Sequence, residues 1–134
     1  MPGTATLLLD VHANITAWAD EARPAEACGI LFGYRRGPDF EVRYASHAHN
    51  VAKDPRRFEL DPAHYAHAVD ESIACGVDII GVWHSHPDSE PVPSDADRAA
   101  AWPEHLHLIV GPEHAGAARV RAWHGEELRV ERPE

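Results

Sequence analysis

A nearly continuous apolar run at residues 77–83, in the middle of the chain, constrains the fold more than any other feature. The run is rich in β-branched residues and is typical of a central strand that is covered on both of its faces. Such a strand needs neighbouring strands on both sides and other elements packed over it. It leads directly into His84-Ser85-His86-Pro87, so polar residues capable of chemistry follow where the central strand ends.

Patterns on either side of this run predict an α/β (α+β) fold with a mixed sheet and about three helices. The second helix begins at Asp61-Pro62, where an N-cap and a first-turn proline coincide, and it ends at Gly76. Its residues Tyr65, Val69 and Ile73 recur every four positions and are expected to face the core. The other predicted elements are strands at residues 5–9, 28–34, 40–46 and 106–110, helices at residues 11–22 and 94–102, and a terminal hairpin at residues 118–130.

His84 and His86 are the first candidates for metal ligands. Side chains two apart on a strand point to the same face, so both imidazoles can be directed toward one ion. Ser85 points to the opposite face and is expected to make a structural hydrogen bond. A catalytic zinc requires a third protein ligand, and the acidic residues that follow leave several candidates open: Asp88, Glu90, Asp95 and Asp97.

Two further histidine pairs have the same spacing but lack this setting. His47 and His49 lie in a polar loop and are expected at the solvated surface. His105 and His107 share the strand face opposite Leu106, and they are expected to pack beside the preceding helix or to meet solvent. Spacing alone therefore does not identify a metal site in this histidine-rich chain.

The charge balance argues against nucleic acid and membrane surfaces as partners. The 134 residues include 22 acidic and 12 basic side chains, which gives a formal net charge of −10 at pH 7. Phosphate binding needs clustered basic residues, whereas Lys53 is the sole lysine and the arginines are scattered among acids. The chain also lacks an apolar run long enough for a membrane helix and a signal-peptide pattern. These features predict a cytoplasmic protein with one domain over residues 1–134.

Four other residues carry structural expectations. Cys28 and Cys75 match no disulfide or thiol-zinc pattern and are expected to be free, buried thiols. Cys28 as a nucleophile is an alternative, but a small buried residue in an apolar strand is the simpler account. Trp83 is expected in the core or a cleft wall. Asn50 is expected in a turn, with a place in a substrate groove as the alternative.

Two separated motifs resemble the JAMM metalloprotease family, also called MPN-plus. One is His84-Ser85-His86-Pro87, followed seven residues after His86 by Ser94-x-x-Asp97. The other, Glu26-Ala27-Cys28-Gly29-Ile30-Leu31-Phe32-Gly33, is similar to the family's glutamate-bearing strand entry. Softer similarities at residues 50–52 and 58–62 extend the resemblance from about residue 7 to residue 130. It implies a JAMM/cytidine-deaminase-like fold.

The resemblance also implies a role for each motif residue. His84, His86 and Asp97 would bind one zinc ion, with water as the fourth ligand. Glu26 would act as general base on that water and later pass the proton to the leaving amine, and Ser94 would hydrogen-bond to the developing oxyanion. Ser94-x-x-Asp97 is also a variant of the helix capping box. The two interpretations are compatible because a helix start would hold Asp97 rigidly.

The compact chain resembles the short prokaryotic members of the family, which act on ubiquitin-like sulfur-carrier proteins. This implies hydrolysis of a peptide or isopeptide bond at the extended C-terminal tail of such a carrier, by Glu26-assisted attack of zinc-bound water. An edge strand beside the cleft could bind the tail by β-augmentation. The oligomeric state is open, with a homodimer as one possibility.

Two other functions occur on the same fold. A non-catalytic MPN-type protein-binding scaffold usually lacks ligands of the motif, whereas the complete set is present here. A zinc nucleobase deaminase needs a Pro-Cys-x-x-Cys ligand element, which this sequence does not contain. The sequence therefore favours a zinc metallopeptidase or isopeptidase.

Overall fold

The central strand is β4 (Asp78–Ser85), and it lies between β2 (Cys28–Arg36) and β5 (Leu106–Val110). It runs antiparallel to β2 and parallel to β5, so the sheet is mixed as predicted. His84 pairs with Cys28 of β2 and with Ile109 of β5. The carboxyl end of the central strand therefore lies beside the start of β2 and the end of β5.

The computed structural model describes residues 3–8 and 10–133, and seven strands lie within them. The strand order is β1, β3, β2, β4, β5, β6, β7, and β7 also pairs with β1 to close a barrel. Every described strand thus has two neighbours, so the predicted edge strand beside the cleft is wrong. The remaining elements are β1 (Thr4–Leu7), β3 (Asp39–Ala45), β6 (Val120–His124), β7 (Glu126–Glu131), α1 (Val11–Ala22), α2 (Pro62–Cys75), α3 (Asp95–Ala100) and a 3₁₀ helix (Glu113–Ala118).

The sheet separates two apolar layers because successive side chains of a strand point to opposite faces. Leu31 of β2 belongs to a large cluster that includes residues of α1, whereas its neighbours Ile30 and Phe32 pack with Ala68 of α2. Most of the core lies in the first layer. Its largest fully buried members are Leu7, Val11, Ile15, Leu31, Phe40, Trp83, Leu106 and Leu108.

Trp83 belongs to the core, as predicted, and a glycine makes room for it. A Cβ atom at Gly29 would collide with the Ser46 carbonyl and the Trp83 indole. The Trp83 Nε1–H donates to the Ser46 carbonyl over 2.8 Å. The largest side chain of the core is thereby fixed one position before His84.

Helix α2 has the predicted start and end but a different buried face. The Asp61 side chain accepts a hydrogen bond from the Ala63 amide, and Gly76 ends the helix with a φ of 69°. Ile73, however, is 75% exposed. Each four-residue step turns a position about 40° further around a helix of 3.6 residues per turn, so the series that starts at Tyr65 moves off the sheet. The fully buried contact is made by Ala68 instead.

Several other predictions differ in detail. Cys75 is exposed because it lies in the last turn of α2, next to Gly76. Helix α3 ends at Ala100, before residue 102, and the terminal hairpin begins at Val120 because residues 113–118 form the 3₁₀ helix. Leu9, the predicted end of the first strand, lies outside the described residues. In the part of the chain that is described, no helix has the length and apolar character to cross a membrane.

Candidate metal centre and active-site cleft

Three side chains from two parts of the fold converge at the end of the central strand. His84 is the last residue but one of β4, His86 follows the strand, and Asp97 lies in the first turn of α3. The His84 Nε2 atom lies 3.0 Å from His86 Nε2 and 3.2 Å from Asp97 Oδ2, and the latter two atoms are 3.1 Å apart. All three residues are buried. The structure thus brings together two of the predicted histidines and one of the four candidate carboxylates.

The chemistry of this donor set fits a zinc ion. The Nδ1 atom of His86 donates to the Glu90 carbonyl over 2.8 Å, so a neutral His86 presents the lone pair of its Nε2 to the centre. Lone pairs held this close repel one another unless a cation or proton lies between them. Two ligands bonded at about 2.0–2.1 Å to a tetrahedral zinc are about 3.3–3.4 Å apart, close to the observed separations.

His107 is a site residue that sequence reasoning missed. Its Nε2 lies 3.0 Å from His84 Nδ1, and both rings are buried. The prediction that His107 packs beside the preceding helix or meets solvent is therefore wrong, whereas His105 is only half-buried. Burial, and secondarily the neighbouring His84, lowers the pKa of His107 to about 3. A neutral His107 can accept the His84 Nδ1 proton and leave His84 Nε2 free for a metal.

Ser94 and Asp97 form a reciprocal capping box. The Asp97 amide donates to Ser94 Oγ over 3.0 Å, and the Ser94 amide donates to Asp97 Oδ2 over 2.9 Å. Burial alone would raise the pKa of Asp97, but its contacts with His84 and His86 outweigh burial and hold that pKa well below its usual range. The same oxygen that caps the helix therefore stays ionised and faces both histidines. Capping and metal binding can coexist.

Glu26 lies between α1 and β2, and its backbone is held on both polar atoms. Its amide donates to the Pro55 carbonyl over 3.1 Å, and its carbonyl accepts from Asn50 Nδ2 over 2.9 Å. The residue is only 8% exposed. Burial raises the pKa of Glu26 to about 7, with His86 opposing the shift and Asp97 adding to it. A carboxyl that titrates near neutrality is suited to take up and release a proton.

Asn50 uses its whole amide group to fix the segment that follows it. Nδ2 donates to the carbonyls of Glu26 and Arg57, and Oδ1 accepts from the amides of Ala52 and Glu59, all over 2.9–3.0 Å. The contact with Ala52 is the turn predicted for this residue. Asn50 lies outside the lining of the large cleft described below and lines a second, shallower depression next to Glu26.

His86 and Asp97 line a cleft of about 660 Å³. Phe58 forms one wall, and its ring stacks on that of His84 with centroids 4.3 Å apart. Trp102, which is 56% exposed, lies toward the outer rim and contacts Tyr65 edge to face. The other lining residues that matter for the chemistry are Glu26, His86, Ser94 and Asp97. The predicted base, the predicted oxyanion donor and two of the three predicted metal ligands thus share one cleft, and the third, His84, is fully buried beside them.

Residues for which structural roles were predicted lie apart from this chemistry. Ser85 Oγ accepts from the Ala27 amide over 2.8 Å on the opposite face of β4. Burial, and secondarily Glu26, raises the pKa of Cys28 to about 12, which opposes a thiolate nucleophile there. His47 and His49 are exposed, as expected, and His47 stacks on Trp18.

Comparison with known proteins assigns the chain to a family. Residues 8–125 match the family described as prokaryotic homologs of the JAB domain. The chain belongs to this family. The matched range includes both motifs, Glu26 and the segment from His84 to Asp97, so the resemblance to JAMM/MPN proteins is confirmed.

The similarity to individual relatives extends over nearly the whole of this chain. A desampylase of Haloferax volcanii is 38% identical over 133 residues, which cover 92% of this chain and 91% of the relative. A solution structure of a Desulfitobacterium hafniense protein superimposes with a TM-score of 0.83 at 29% identity, covering 97% and 93% of the two chains. The crystal structure of a JAB1/MPN domain protein from Archaeoglobus fulgidus shares the fold, with a TM-score of 0.63 at 19% identity and coverages of 96% and 99%. The protein is a JAMM-type hydrolase of the isopeptidase class.

Proposed function

We propose that this protein hydrolyses a peptide or isopeptide bond at the C-terminal tail of a ubiquitin-like or sulfur-carrier protein in a zinc-dependent reaction. The observation that carries the proposal is the triangle of His84 Nε2, His86 Nε2 and Asp97 Oδ2, of which His86 and Asp97 line the same cleft as the buried Glu26. Similarity to a desampylase supports an isopeptide bond on a ubiquitin-like modifier as the target.

His84, His86 and Asp97 would hold the zinc ion. Zinc bound there would polarise the scissile carbonyl and lower the pKa of water to about 7. Glu26 would take the proton from the attacking water on its carboxylate and then donate it to the leaving amine nitrogen. A pKa raised to about 7 favours both steps, because the group can exist in either form near neutral pH.

Ser94 would supply a hydrogen bond to the oxyanion. Its Oγ accepts from the Asp97 amide, and this leaves the hydroxyl proton free to donate. The capping box fixes the Ser94 backbone as well, so the donor is positioned before substrate binds. A preorganised donor of this kind stabilises charge that develops in the transition state.

The cleft suits an extended tail better than a folded surface. The segment from Phe58 to Leu60 lines the cleft, and Glu59 bonds back to Asn50 and Val51 through its amide and carbonyl. In an extended chain the backbone groups of the neighbouring residues point to the opposite side. Phe58 and Leu60 would therefore offer backbone hydrogen bonds to a tail lying in the cleft, in place of an edge strand of the main sheet.

The test is cleavage of a ubiquitin-like carrier joined through its C-terminal glycine to the side chain of a lysine. Mass spectrometry should show release of the intact carrier by the wild-type protein with zinc, and no release after chelation by EDTA. Glu26→Gln should reduce the rate by about a hundredfold to ten-thousandfold because the proton acceptor is lost. Glu21→Gln removes an exposed carboxylate from α1 and serves as the matched control.

Two results would oppose the proposal. One is absence of cleavage by a preparation shown to contain zinc. The other is equal rates for Glu26→Gln and Glu21→Gln. A protein-binding scaffold would give the first result, but the presence of the full set of motif residues and the membership of a hydrolase family disfavour that function.

A further inference from the structure

Positive charge is scarce in this chain, and one small cluster of it lies beside the cleft. The formal net charge is −10, yet Lys53, Arg56 and Arg57 lie within five positions, with Asp54 as the acid among them. Segment 53–57, here called the basic rim, therefore carries a net charge of +2. Arg56 and Arg57 line the same cleft as Glu26. The arginines are thus less evenly scattered than the overall sequence suggested.

The guanidinium groups of the basic rim are available to a partner. Several arginines elsewhere are paired with neighbouring acids, as in Arg121–Glu127 and Arg129–Glu131, both at 2.7 Å. Arg56 is 89% exposed and reaches Asp54 at 3.4 Å, a weak surface pair. Within residues 3–8 and 10–133, the Arg57 side chain has no hydrogen bond or ion pair.

The basic rim is held in a fixed position beside the site. Asp54 organises it locally, because its carbonyl accepts from the Arg57 amide and its Oδ1 accepts from the Arg56 amide. The Pro55 carbonyl accepts from Glu26, and the Arg57 carbonyl accepts from Asn50. The same hydrogen bonds that hold the backbone of the general base therefore hold the rim. A partner bound by the rim would therefore be held in a fixed position beside the reacting groups.

We propose that the basic rim is a docking surface for acidic side chains that flank the C-terminal tail of a ubiquitin-like substrate. This inference rests on the proposed function, since it is the tail that enters the cleft. Most of this acidic surface repels an acidic partner. The rim attracts it, so the rim favours the orientation in which the acidic side chains of the partner face Arg56 and Arg57. Charges at the rim of an interface chiefly set orientation, association rate and discrimination against wrong partners. A net charge of +2 is small for nucleic acid, whose binding requires several phosphate contacts.

The experiment compares two substrates that contain the same scissile bond. One is a folded ubiquitin-like sulfur carrier fused through its C-terminal glycine to a fluorescent protein, and the other is a synthetic peptide of the tail alone. The variant is Arg56→Glu/Arg57→Glu. Arg36→Glu/Arg132→Glu is the control, because it changes the net charge equally at two exposed positions and Arg36 lies at the far end of β2 from Cys28, which pairs with His84.

We expect the rim variant to lower kcat/KM for the folded substrate by about tenfold, mainly through KM, and to lower it less for the peptide. The control should change either value by less than about twofold. Replacing acidic residues near the tail of the carrier by lysine should restore cleavage by the rim variant. Equal falls for the two substrates, or equal falls for the two variants, would overturn the proposal.

A binding measurement separates this proposal from the proposed function. Fluorescence anisotropy of the labelled carrier is measured with Glu26→Gln protein, with and without the two rim substitutions. If the wild type cleaves neither substrate, the proposed function fails, and about tenfold weaker carrier binding by the rim variant would still support the docking surface. Unchanged carrier binding would overturn it, as would displacement of the carrier from the rim by a short single-stranded RNA.

Discussion

The two faces of β4 and β5 come from the same short stretches of chain but have opposite properties. One face carries Trp83 and Leu108, which are fully buried in the apolar cluster with α1. The other carries His84 and His107, which are as well enclosed but polar. Burial stabilises the first face, whereas each buried imidazole loses hydration and needs a partner. Substitutions one position apart should therefore change different measurements, which allows stability and site chemistry to be separated.

The largest expected effect comes from making the polar face apolar at its centre. His84→Leu removes one of the three proposed ligands, and we expect kcat/KM for the carrier substrate to fall by about a thousandfold or more. The metal-free protein should keep its free energy of unfolding, because leucine does not bury an imidazole. Guanidinium denaturation in EDTA checks this second part. Retention of most of the activity would show that the two faces are not functionally distinct.

A truncation on the apolar face should instead lower the stability of the protein. Leu108→Ala is expected to lower the free energy of unfolding by about 2–5 kcal/mol, because it leaves a cavity in a fully buried cluster. Urea denaturation measures the loss. Zinc affinity of the folded protein should stay within about twofold of the wild type, because the substituted side chain faces away from His84. Weakened zinc binding with little loss of stability would contradict the separation of the faces.

Part of the fold and part of the site can be predicted from the sequence alone. The apolar run before His84 and the alternation of strand residues were sufficient to predict the mixed sheet and the proximity of His84 to His86. The assignment of Asp97 came from a resemblance, because four carboxylates follow His86 within eleven residues and their spacing did not distinguish among them. The role of His107 was missed because its partner is 23 positions away, and only the parallel pairing of β4 with β5 brings the two rings together.

The surroundings of Glu26 were beyond local reasoning for a similar reason. Its pKa depends on burial, and its backbone is fixed by Pro55 and Asn50 of a separate loop. The exposed Ile73 shows the converse. Its four-residue spacing from Tyr65 and Val69 indicated a buried helix face, but the spacing drifts away from the sheet over two steps. Contacts between distant segments decided these features.

His107 tests whether the polar face needs an internal partner. We expect His107→Leu to weaken zinc binding by about 10–100-fold, because His84 loses the acceptor for its Nδ1 proton. His107→Gln should restore much of the affinity, since its side-chain oxygen can accept the same proton. Competition with a chromogenic chelator measures the affinity, and denaturation in EDTA reports any structural damage. Equal affinities of the leucine and glutamine variants would remove His107 from the positioning role.

A smaller effect is expected from the pH dependence of Glu26. The folded-state pKa of about 7 lies above the ordinary value of 4.5, so the folded state binds the proton more tightly than the unfolded state does. This contribution to stability is complete below pH 4.5 and is lost as the pH rises through about 7. In EDTA, Glu26→Gln should therefore gain on the order of 1–2 kcal/mol relative to the wild type between pH 4.5 and pH 8. A pH-independent difference in unfolding free energy would contradict the shifted pKa.

The most direct test of the account is the zinc content of single variants. After dialysis against zinc and removal of excess metal, the wild type and Glu26→Gln should each contain one zinc per chain by elemental analysis. His84→Ala, His86→Ala and Asp97→Ala should each lose it, whereas His47→Ala and His49→Ala should retain it. Zinc retained by His84→Ala, or lost by His47→Ala and His49→Ala, would contradict the claim that the end of β4 and the start of α3 form the metal centre.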